Sequence, residues 1–164
     1  MDKVAIVQEL RARGWSVQEH LNSAFRLPPA IAARYPRLPE SLLEFLSGLA
    51  LCVDATETTW ILCQSDYDGT GSSAFSWDEW EKLSLSVAGN PDDIAKVRAF
   101  WDGHFPFMFS VGSGYAFHAI CTAPDKFGRV VEGCEPDFEE ALPVADSFEV
   151  FITSVIMGSV PPNR

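Results

Sequence analysis

Apolar positions along this chain recur in two periods, and the switches between them mark out its elements. Val4, Val7 and Leu10 fall on one side of a 3.6-residue turn, which predicts a helix over residues 3–13 with Gly14 as its stop. Residues 26–40, RLPPAIAARYPRLPE, carry four prolines and three arginines and predict a surface wrap with a short helical turn at most. Pro39 then suits the first position of a second helix. Leu38, Leu42, Phe45, Leu46 and Leu49 form its stripe, and Gly48 suits its C-terminal cap. Segments 49–54 and 58–64 read as two strands joined by a turn.

Cap chemistry places three further helices. Ser76 and Glu79 have capping-box spacing ahead of Trp80, Leu83 and Val87. Asn90 as N-cap, Pro91 at the first helical position and the acids Asp92 and Asp93 start another, with Ile94, Val97 and Trp101 on one face and Gly103 as its end. Asp146 and Glu149 box the last one, whose stripe is Phe148, Phe151, Ile152, Val155 and Ile156 before Gly158. Between these lie FPFMFSV (105–111), GSGYAFHAIC (112–121) and GRVVEGCEPDFEE (128–140), three glycine-punctuated strands ending in an acidic turn. The expected class is α+β, a single domain over 1–164 with a twisted, mainly antiparallel sheet and helices packed mostly on one face. No internal repeat is present, and the terminal VPPNR is the one low-complexity tail.

At 164 residues, with 47% hydrophobic and 21% charged, the chain can bury a core without disulfide or metal staples. Cys52, Cys63, Cys121 and Cys134 form no CxxC pair, and three of them sit in apolar, strand-like surroundings, as buried thiols in a reducing compartment do. The N-terminus has charges spread through it and no continuous apolar run, so it does not read as a signal peptide. Nothing approaches the roughly 18 apolar residues of a membrane span. A cytoplasmic protein without a membrane partner is expected.

Charge is unevenly shared. Residues 1–40 hold six Lys/Arg and four Asp/Glu, a net of +2, while residues 41–164 hold six and nineteen, a net of −13. An acidic block of this size repels phosphate backbones, which argues against nucleic acid, and speeds encounter with a basic partner.

The chemical motifs mostly dissolve under inspection. Asp66, Asp68 and Gly71 occupy the first, third and sixth positions of a calcium-type loop, but the twelfth is Trp77 instead of a bidentate Glu. A flexible acidic loop is the expectation there. Gly69 and Gly71 lack the third glycine of a dinucleotide turn and the lysine of a phosphate loop. His118 and Cys121 point to opposite faces of a strand, so with His104 they do not make a zinc set. Cys134 lies among Glu132, Glu135 and Asp137, neighbours that disfavour a thiolate. Gly112-Ser113-Gly114 reads as a turn and not a nucleophile elbow. Glu132, Glu135, Asp137, Glu139 and Glu140 cluster around Gly133 and Pro136 in what reads as an exposed turn, without the apolar pocket that splits the pKa values of a glycosidase pair. They are the first candidates for a partner-binding surface, with Asp66 and Asp68 next. No catalytic residue, metal or cofactor is expected.

The arrangement resembles the SUKH superfamily, which joins bacterial immunity proteins to the fungal Smi/Knr regulators of cell-wall synthesis. The matching residues are Leu38, Pro39, Leu42, Phe45 and Leu46 at a helix entry, Phe105-Pro106-Phe107, the turn Gly112-Ser113-Gly114 and the FHAI strand. The Gly128 turn into Val130 and Val131 and the closing VADSFEVFI helix complete the match. It spans residues 37–157, with 1–36 as an N-terminal helix and wrap. Many members carry an Asp after the second turn glycine, where this chain has Tyr115, so a role resting on that Asp does not transfer. The resemblance implies an α+β binding protein that neutralises a secreted polymorphic toxin by stoichiometric binding, an acidic surface suiting a basic nuclease. The alternative is a regulatory or scaffolding module for a cellular protein or small ligand.

Overall fold

The computed structural model describes residues 1–159, so the terminal VPPNR tail lies outside the described residues. Seven strands form one antiparallel sheet in sequence order: β1 (Ser16–Glu19), β2 (Leu49–Val53), β3 (Thr59–Ile61), β4 (His104–Ser110), β5 (Ala116–Cys121), β6 (Val130–Cys134) and β7 (Leu142–Ala145). Seven helices accompany it: α1 (Lys3–Ala12), α2 (Pro29–Arg34), α3 (Glu40–Leu46), α4 (Gln64–Asp68), α5 (Glu79–Val87), α6 (Pro91–Asp102) and α7 (Phe148–Ile156). The class is α+β.

The centre of the sheet is the β4–β5 pair, where Phe109 faces Phe117 and Met108 faces His118, with a bulge at Phe107. Every residue of β5, and all of β4 after His104, is buried. Strands buried along their whole length need cover on both faces. The helices accordingly divide between the faces instead of gathering mostly on one. Phe117 and His118 are neighbours and point opposite ways. Phe117 meets Trp101 of α6 at 4.6 Å between ring centroids, and His118 meets Phe151 of α7 at 4.7 Å. On the first face Trp80 of α5 lies against Phe109 and Phe138 and donates its indole N–H to the Ala116 carbonyl at 3.1 Å. On the second, Phe148 of α7 packs against Phe45 of α3 and Phe107.

Two edge strands, β1 and β7, go beyond the predicted elements. In β1 only Val17 is buried, and β7 contains Pro143 and is largely exposed, so neither shows an alternating pattern strong enough to read. The predicted strand over 58–64 stops at Ile61, because Cys63 caps a short helix. The cap of α7 is Ser147 rather than Asp146, its hydroxyl accepting from the Val150 N–H at 3.3 Å. Asn90 caps α6 as expected, accepting from Asp93 N at 2.9 Å. The proline-rich wrap is clamped by Arg34, which forks onto both oxygens of Glu81 at 2.8 Å and reaches Asp102 at 2.9 Å.

Candidate protein-docking site

The acidic run begins on β6. Alternation puts Glu132 on the α7 side of the sheet, opposite His118 and beside Leu142 across the strands. Gly133 faces the other way, against the Phe117 ring and the Phe138 carbonyl. The chain then leaves the sheet through a cis Glu135–Pro136 peptide. Glu135 turns back to the β4–β5 turn, where Oε1 accepts from Tyr115 N at 3.0 Å. Phe138 buries itself beside Trp80, and Glu139 accepts the indole N–H of Trp101 at 2.8 Å on the α6 side.

The five acids therefore do not share one surface. Glu132 and Glu139 lie on opposite faces of the sheet, and Glu135 and Glu139 each hold a structural donor. Asp137 and Glu140 remain exposed, in a turn closed by Glu140 N donating to the Asp137 carbonyl at 3.0 Å. The structure adds two residues to them. Leu142 and Val144 on the outer strand β7 are 70% and 42% exposed, directly after the acidic turn. Their sequence signal was the Leu-Pro-Val run itself, too short to register as a strand.

Asp66 and Asp68 sit in a helix and not in an open loop. Asp66 is at the third position of α4 and accepts from Cys63 N at 2.7 Å, closing a capping box with a cysteine at the N-cap. Burial raises its carboxyl above the ordinary range. Asp68 accepts from Gln64 Nε2 at 3.0 Å. Among the described residues no three His, Cys, Asp or Glu side chains gather in a geometry that could hold a metal ion.

Cys52, Cys63 and Cys121 are buried, and Cys134 is exposed. Burial pushes the Cys52 thiol up to about 12, and those of Cys63 and Cys121 move the same way. Buried thiols of this kind are inert packing groups. His104 holds its Nδ1 2.7 Å from the Phe100 carbonyl and stacks on that ring.

His118 is 3% exposed, its Nε2 has no hydrogen-bond partner among the described residues, and burial lowers its pKa to about 3. The unfolded chain therefore takes up a proton at His118 well before the folded one does. Its contribution to stability is complete above about pH 6.5 and falls as the pH drops towards 3, by about 1.4 kcal/mol per pH unit. The pH dependence of the urea midpoint should lose this component in His118→Leu. Parallel profiles for the two proteins between pH 6 and pH 4 would show that the ring is not held neutral.

No protein-family model matches this chain, and no curated protein matches it. No helix among the described residues is long and apolar enough to cross a membrane.

Proposed function

We propose that the chain is a non-enzymatic protein-binding module that docks a basic partner on its β7 edge. The observation that carries this is the pairing of exposed Leu142 and Val144 with exposed Asp137 and Glu140 on one continuous stretch of chain. An apolar centre beside a charged rim is the usual anatomy of an interface. Large aliphatic side chains on a free sheet edge also gain most by being covered. The acidic balance of residues 41–164 sets the sign of the partner. The resemblance to the SUKH superfamily adds the class: in a bacterium, a cytoplasmic immunity protein that holds a secreted toxin domain in a stoichiometric complex.

The double variant Asp137→Lys, Glu140→Lys should associate about tenfold more slowly than wild type with the toxin domain encoded beside it at low salt. The gap should narrow at high salt, because exposed charges act on encounter. Leu142→Arg should act instead on dissociation. Surface plasmon resonance at two salt concentrations reads both effects. Equal on-rates and off-rates in all three proteins would move the interface away from β7. Absence of any complex with that domain would remove the immunity role.

A further inference from the structure

A second surface lies at the far end of the sheet, separated from β7 by β4, β5 and β6. Pairing of Val53 with Trp60, and of Trp60 with Phe109, puts Leu51, Val53 and Trp60 on the sheet face of Phe109 and Phe117. Helices α5 and α6 cover that face over β4 and β5, through Trp80 and Trp101. Over β2 and β3 neither helix continues, and α4 only borders the strands, through Ser65 and Asp66. Residues 71–75 rise beside the bare strands as a wall, Phe75 stacking on Trp60 at 5.8 Å. The result is an open groove of about 560 Å³ with Leu51, Val53, Trp60, Phe75 and Val111 as its apolar lining. Leu51 is 38% exposed in it.

Three features state what would fill it. Among the described residues only acids, Glu57 and Asp66, supply charge to the lining. The aromatic faces of Trp60 and Phe75 favour cations over anions. The indole N–H of Trp60 is buried with no acceptor among the described residues, a cost that a carbonyl oxygen would relieve. An apolar body, a positive charge and a backbone carbonyl together describe a polypeptide, and the groove runs along strands. We propose that it binds an extended segment of a partner protein in which apolar and basic residues alternate. The apolar side chains lie on Leu51 and Val53, the cations meet Glu57 and Asp66, and a carbonyl takes the Trp60 N–H as Phe75 shifts aside.

The acetylated, amidated hexapeptide Leu-Arg-Leu-Arg-Leu-Arg is the probe, and the indole N–H resonance of Trp60, assigned by its loss in Trp60→Phe, is the reporter. Adding the peptide should move that resonance downfield and saturably. The Leu-Glu counterpart should bind about tenfold more weakly or worse. Leu51→Arg should abolish the response by placing a cation in the groove, with the other indole resonances unmoved. Glu57→Lys, on an exposed turn, should weaken it if Leu51→Arg perturbs the fold. Asp137→Lys, Glu140→Lys should respond like wild type, which separates this site from the β7 rim. No shift at millimolar peptide, an equal response to the Leu-Glu peptide, or an unaltered response in Leu51→Arg and Glu57→Lys would overturn the proposal. So would a shift produced by raising protein concentration alone, which would seat a second copy in the groove.

Discussion

Phe151→Ala should lower the free energy of unfolding by about 3–5 kcal/mol. Phe151 is buried at the centre of α7, its ring 5.4 Å from Phe107 at an interplanar angle of 86° and 4.7 Å from His118. Truncation removes the transfer energy of the ring and leaves a void between a helix and the most deeply buried pair of strands, where neither side can close easily. Urea denaturation followed by circular dichroism measures the loss. A second consequence is independent of the first. Water entering the void hydrates His118, raises its folded-state pKa and flattens the acid dependence of stability. A cost under about 1 kcal/mol would mean that α7 is peripheral and the core lies elsewhere.

Gly133→Ala should cost about 3 kcal/mol or more, although it adds one methyl group. A Cβ at this position would stand 2.6 Å from Phe117 Cζ, closer still to Phe117 Cε1, and 2.5 Å from the Phe138 carbonyl oxygen. Phe117 is wedged between Trp101 and Phe138, and the carbonyl is main chain, so neither obstacle is the free end of a flexible side chain. Pairing Gly133→Ala with Phe117→Ala clears the ring and leaves the carbonyl, so it should not restore stability. A melting temperature within about 2 °C of wild type would show that β6 can shift outward to make room.

Most of the core was legible in the sequence because its signals are local. The FPFMFSV run, the FHAI strand and the stripe Phe148, Phe151, Ile152 each lie within one stretch of chain, and each forms its element. What escaped was set by distant partners. Cys63 is a rare N-cap, and α4 starts there because Asp66 reaches back to the Cys63 N–H. Strands β1 and β7 bury too little for their periodicity to show, and Pro143 argued against a strand at all. The acidic run read as one cluster because its members are adjacent. Strand alternation at Glu132 and the indole of Trp101, 38 residues away from Glu139, scatter it over two faces and a turn. Exposed Leu142 carries no mark in sequence that separates it from a core leucine, since only the identity of β7 as the last strand leaves it uncovered.

Helices α1 and α7 touch, although the strands that follow the first and precede the second lie on opposite edges of the sheet. Every strand pairing joins neighbours in the chain, so each can zip up by a local search, even across the helices that separate β3 from β4. Contact between the first and last helices is of another kind, because it closes a loop of nearly the whole polypeptide and carries the largest closure entropy in the molecule. It also brings the two ends of the described chain to one side of the sheet. A covalent linker there would cancel most of that entropy, and new termini could open at the exposed turn around Glu57 while leaving every pairing of the meander in place.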